Sequence, residues 1–117
     1  MDDVAKLQAL GNWALGDDSS KAFAKPSAAQ AYEQMRSYLL EQLNRIRFRG
    51  VAELIAFARN LERAIRSDIR QGADEEDGRA MLAFWSNALH FISSLGPLEG
   101  HAVEEATLRG EAARGAR

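Results

Sequence analysis

The chain has 117 residues, a formal net charge of −2 and no cysteine. That length suits one domain with a single small core, and the missing cysteine excludes disulfides, thiol chemistry and cysteine-ligated metal. The near-neutral charge excludes a global field that would draw in nucleic acid.

Two acids follow Met1, the wrong sign for a secretory leader, so a cytoplasmic location is expected. Residues 3 to 15 predict a short helix. Val4, Leu7, Leu10 and Leu15 recur near helical spacing with Trp13 beside them. Asp2 and Asp3 suit its start and Gly16 its end, while Gly11 interrupts it. Residues 16 to 26 read as a linker anchored by Phe23. A second helix is expected to begin with a capping box, Ser27 with Gln30 three residues on. Tyr32, Met35, Leu39, Leu43 and Ile46 then form one apolar stripe. The helix is expected to end near Gly50.

A third helix is predicted from Val51 to Gln71, carrying Val51, Leu54, Ile55, Ala58, Leu61, Ile65 and Ile69, with Gly72 as its C-terminal glycine. The short connection between these two helices of similar length predicts an antiparallel hairpin. The last long helix opens with Asp74 as cap and Glu75, Glu76 and Asp77 at the positive end of its dipole. Gly78 looks like a weakness in its first turns. It is expected to stop at Gly96-Pro97, leaving 98–117 as a partly flexible extension. The fold class expected is all-α, a small helical bundle in one domain.

No catalytic, cofactor or metal motif emerges. His90 and His101 lie in no metal-ligand spacing, and no Walker, dinucleotide or nucleophile-elbow loop occurs. His90 is expected to be a structural hydrogen-bonding residue, and an enzyme is not expected.

Arginine is the chain's basic residue of choice. Residues 36 to 70 hold eight arginines against Glu41, Glu53, Glu62 and Asp68. Arg59, Arg63, Arg66 and Arg70 share one face of the third helix, and Arg45, Arg47 and Arg49 alternate before it. This surface suits phosphates, or it is a solvated face with ion pairs such as Glu41–Arg45 and Glu62–Arg66 at i, i+4. The arginines could equally pair with Glu75, Glu76 and Asp77.

The strongest signal is "MLAFWSNALHFISSLGP", residues 81 to 97, without one charged side chain. It is too short and too often interrupted by polar residues to span a bilayer. Met81, Trp85, Ala88, Ile92 and Leu95 form one face, with Phe84 and Phe91 on one flank and Leu82 and Leu89 on the other. A helix apolar most of the way round is buried centrally. The extra face predicts cover from a second copy, a partner, or the N-terminal helix with Trp13. Met81, Phe84, Trp85, Leu89, Phe91, Ile92 and Leu95 are therefore the candidate partner or dimer surface, with Arg59, Arg63, Arg66 and Arg70 as candidate electrostatic contacts.

The stretch "AMLAFWSNALHFISSLGPL" resembles the C-terminal helix of TraM-type antiactivators of bacterial quorum sensing. Two long helices before it and the lack of cysteine are similar to the QslA-type antiactivator of pseudomonads. The resemblance implies a non-enzymatic homodimer that binds a LuxR-type transcriptional regulator and sterically blocks its dimerisation or DNA binding. It carries over no catalytic residue. The alternatives are a nucleic-acid-associated module using the arginine stripe, and a structural or chaperone dimerisation module.

Overall fold

The computed structural model describes residues 2–45 and 48–95, and all of its regular structure is helical. The elements are α1 (Asp3–Gly16), a 3₁₀ turn (Ser19–Ala22), α2 (Pro26–Asn44), α3 (Val51–Arg70) and α4 (Glu75–Ser94). The expected Gly96-Pro97 stop, the extension 98–117, Ile46, Arg47 and His101 lie outside the described residues.

Helix boundaries follow local chemistry. Asp2 caps α1, accepting the Ala5 amide at 2.8 Å, and Asp74 caps α4, accepting the Asp77 amide at 3.0 Å. Each satisfies an amide with no partner inside its helix. At the end of α3, Gly72 takes φ +105°. Its amide reaches Ile69 O at 3.1 Å while Ala73 N reaches Asp68 O at 2.9 Å. This is the Schellman arrangement, in which a left-handed glycine closes the helix.

The expected capping box at Ser27 does not form. Pro26 occupies the first helical position, where a missing N–H costs nothing, and Ser27 lies inside α2 with its hydroxyl donating to Asp77 Oδ1 at 2.8 Å. Nor does α2 run to Gly50. It ends at Asn44, and the chain leaves the helix so that Phe48 can be buried against Phe57, ring centroids 5.3 Å apart. Gly50 instead precedes α3, in extended backbone at φ −171°. A Cβ there would lie 2.8 Å from the Asp3 carboxylate, which accepts the Val51 amide at 3.0 Å. The carboxylate thus caps α3 from α1, and the glycine makes room for it.

The expected α2–α3 hairpin is absent. No Cα of α2 lies within 8 Å of a Cα of α3, and both helices pack on α4. Contacts between α2 and α4 advance together along both chains, from Lys25–Asp74 through Ser27–Asp77 to Met35–Trp85, so the two run parallel. The hairpin forms one element later. Ile69 meets Gly78 and Phe57 meets Trp85, so α3 and α4 are antiparallel across the Gly72 turn. α1 runs antiparallel to α2, with Gly11 beside Leu43 and Ala14 beside Arg36.

The core centres on α4. Ala80, Phe84, Trp85 and Ile92 are 0% exposed, joined by Leu10, Leu39, Val51 and Ala58. Trp85 donates its indole N–H to Met35 Sδ at 3.1 Å, which satisfies the one polar atom of a fully buried ring. Lys6, on the inner face of α1, is also buried and engaged.

Gly78 is a packing requirement, not the weakness its helix position suggests. A Cβ there would fall 2.5 Å from Ile69 Cδ1 and 2.8 Å from Ile69 Cγ1. Gly78→Ala is therefore expected to destabilise by about 1–3 kcal/mol, because overpacking outweighs the gain in helix propensity. Urea denaturation checks this, and a stabilised variant would contradict the close α3–α4 approach.

Candidate functional site

The seven apolar residues expected on a partner or dimer surface divide in two. Phe84, Trp85 and Ile92 are 0% exposed inside a single chain and have no surface to give a partner. Met81, Leu89, Phe91 and Leu95 are half-buried. The division has a simple cause. α1 supplies the missing cover for the wide apolar arc, with Trp13 stacked on Phe91 (centroids 5.5 Å, planes 17° apart) and tilted against Phe84 (5.8 Å). Of the three covers expected for that arc, the N-terminal helix is the one described.

On the opposite flank, α4 meets α3 along a shallow cleft of about 240 Å³. Arg59 and Glu62 of α3 face Ser86, Leu89, His90 and Ser93 of α4 across it. The cleft brings together one member of each expected set, Leu89 from the apolar list and Arg59 from the arginine stripe. Arg63, Arg66 and Arg70 continue the exposed stripe along α3. Arg59 pairs with Glu62 at 3.4 Å, so the expected Glu62–Arg66 pair does not form. Arg63 donates to Asn60 at 2.7 Å. Among the described residues Arg66 and Arg70 make no ion pair, since Glu75 is taken by Arg79 at 2.9 Å and Asp77 by Ser27. Glu41–Arg45 does form, at 3.1 Å. His90 is exposed and its imidazole makes no hydrogen bond among the described residues, so its expected structural role is not seen.

The larger concavity lies elsewhere, between α1 and α2. It has a volume of about 730 Å³ and apolar walls from both helices, closed at one end by Phe48 and Arg49. Two large apolar residues on its α1 rim, Val4 and Leu15, are 61% and 68% exposed. The sequence reading takes both, with Leu7 and Leu10, as part of one helical recurrence. They carry the same period as Leu7 and Leu10, and only tertiary packing tells the two sides of α1 apart.

A polar cluster that sequence reasoning missed fastens the segment between α1 and α2. Tyr32 and Ser19 donate to the Asp17 carboxylate, and Ser20 Oγ donates to Glu33 at 2.6 Å. Arg36 pairs with Glu33 and donates to Asp17 O at 2.6 Å and Ala14 O at 3.4 Å, a cation on the negative end of α1. Asn87 of α4 donates to Tyr32 Oη at 3.3 Å. The residues between α1 and α2 are therefore a hydrogen-bonded connector. The signal available was "GDDSS", whose side chains favour turns and caps.

The cluster titrates with the fold. Partial burial pushes the Asp17 carboxyl up, but hydrogen bonds from Ser19 and Tyr32 and the charge of Arg36 outweigh it and hold the group below the usual carboxylate range. Burial, then the bond to Asp17, raises the Tyr32 phenol.

Among the described residues no group of three His, Asp or Glu side chains is placed to hold a metal ion, and no helix is long and apolar enough to cross a membrane. Comparison with known proteins finds no matching family model, no matching curated protein and no matching solved structure.

The Asp17 shift has a definite sign. A carboxyl lowered by folding contributes stability that is complete above its unfolded value of about 4 and is lost as pH falls through the folded value. Asp17→Asn is expected to cost about 1–2 kcal/mol at neutral pH and to flatten the acid limb of the stability profile. Urea midpoints measured from pH 7 downward check this. An unchanged acid limb in the variant would show that Asp17 does not carry it.

Proposed function

We propose that this chain is a non-enzymatic, helical protein-binding inhibitor whose target is a LuxR-type transcriptional regulator, in the manner of the antiactivators its α4 resembles. It acts by steric block of the regulator's dimerisation or DNA binding. The observation that supports a binding role is the α3–α4 face. There an uncharged strip of α4 (Ser86, Leu89, His90, Ser93) lies open beside Arg59 and the exposed row Arg63, Arg66 and Arg70. An apolar anchor flanked by cations suits an acidic protein surface, the anchor limiting dissociation and the charges speeding encounter. The partner surface under this reading is smaller than the sequence suggests. It is built on Leu89 in the cleft and leaves Phe84, Trp85 and Ile92 to the core.

The bare guanidiniums of Arg66 and Arg70 also suit phosphates, which is the second reading. It predicts DNA or RNA binding that weakens steeply with salt.

Affinity capture with a LuxR-type regulator, followed by a DNA-binding assay on that regulator, separates the two. The first reading expects direct capture, loss of regulator–DNA complex, and at least about tenfold weaker capture by Leu89→Asp. No capture of the regulator, together with salt-sensitive binding of free DNA, would replace it with the second.

A further inference from the structure

We infer that the groove between α1 and α2 is the seat of a second copy of this chain. The two copies of α1 would cross antiparallel about a two-fold axis.

The first observation is that α1 is apolar on two sides. Leu10 and Ala14 face the core, while Val4 and Leu15 face out. Val4, Gln8, Gly11 and Leu15 all line the groove and fall within one narrow arc of the helix at 3.6 residues per turn. A helix on the rim of a bundle does not need its outward stripe apolar.

The second observation is Gly11. A glycine inside a helix costs stability relative to alanine. Gly78 repays that cost within the chain, since a Cβ there would collide with Ile69. Gly11 does not. A Cβ there would meet only Leu43 Cδ1, at an ordinary 3.6 Å. Nothing in the packing of the described residues requires glycine on this wall, whereas close approach of another helix would.

The third observation is that the pattern is complementary to itself. A two-fold axis midway along the stripe sets Val4 of one copy against Leu15 of the other, and Gln8 against Gly11. Each large side chain meets an apolar partner, and the glutamine meets the gap left by the glycine. The charges agree. Arg49 lies at the Val4 end of the groove, because Asp3 holds the nearby Val51 amide. Glu41 lies toward the Leu15 end, because α1 and α2 are antiparallel. The same axis therefore brings Arg49 of each copy to Glu41 of the other. Among the described residues Glu41 makes only a solvent-exposed ion pair, with Arg45, which is weak. Such an isologous contact closes on itself and gives a dimer, not a fibre. None of these residues lines the α3–α4 cleft, so the inference stands apart from what that cleft binds.

Sedimentation velocity over a dilution series tests it, using the full chain, Leu15→Lys, Glu41→Arg, and Glu41→Arg combined with Arg49→Glu. Leu15 is mostly exposed, and lysine suits a helix C-terminus, so Leu15→Lys keeps the fold. Thermal melting of dilute protein confirms that for every variant. The expected result is a dimer with micromolar or tighter affinity. Leu15→Lys and Glu41→Arg should each weaken it at least about tenfold, and the charge-swapped double variant should recover part of the loss. A full chain that stays monomeric into the millimolar range would overturn the inference. So would a Leu15→Lys variant that dimerises as well as the full chain, or a double variant no tighter than Glu41→Arg alone.

Discussion

Phe84 and Trp85 are neighbours in sequence, so their side chains leave α4 about 100° apart. Both are completely buried. That pair of facts forces α4 to be enclosed from two directions at once. Phe84 is met edge-on by Tyr32 and tilted by Trp13, while Trp85 is met by Phe57 and by the sulfur of Met35. The contacts extend outward from there. Phe23 reaches Tyr32, Phe91 reaches Trp13, and Phe48 and Tyr38 reach Phe57. All nine aromatic rings of the chain belong to one connected network. Each well-placed ring pair contributes about 0.5–1.5 kcal/mol beyond its buried area, so the network ties every helix to α4. The interposed topology follows, since α2 and α3 each need contact with a different side of the same helix.

The remaining devices serve that enclosure. The Asp3 carboxylate crosses from α1 to cap α3, and Gly50 leaves it room. Arg36 and Tyr32 grip the end of α1 through Ala14 and Asp17 and hold Trp13 over the far side of Phe84. Gly78 lets the first turn of α4 sit directly under Ile69. Short polar contacts at the helix ends thus set the angle and depth at which the apolar faces meet. The α1–α2 groove and the α3–α4 cleft are among the openings this arrangement leaves.

Much of the secondary structure was legible in the sequence because its causes are local. Asp2, Asp74 and Gly72 act within one turn of their own positions, and the period of Leu54, Ala58 and Ile65 is a property of one helix. Expectations failed where the deciding partner is distant in sequence. Ser27 and Gln30 have the residue types of a capping box, but Pro26 takes the first helical position and Asp77, 50 residues on, takes the hydroxyl. The α2–α3 hairpin rested on a short connection, which fixes proximity of two helix ends but not packing of two faces. Trp85 specified that packing, and nothing local says which helices will flank it. Which part of α4 stays uncovered was half legible for the same reason. The period of α4 shows a wide apolar arc, but which part of it α1 covers is decided by Trp13.

In functional terms, α4, which carries the chain's longest uncharged stretch, commits Phe84, Trp85 and Ile92 wholly to its own fold. What remains outside is smaller and more polar, Leu89 with its arginine neighbours on one side and the Val4–Leu15 rim on the other. The most direct test of this account uses Trp13→Phe, which leaves Trp85 as the sole tryptophan, excited selectively over the tyrosines and studied by emission and acrylamide quenching on dilution into the monomeric range. Burial within one chain predicts blue-shifted, quencher-protected emission that does not change with dilution. Emission that reddens and becomes quenchable as the protein is diluted would place Trp85 at an interface between chains and contradict the account.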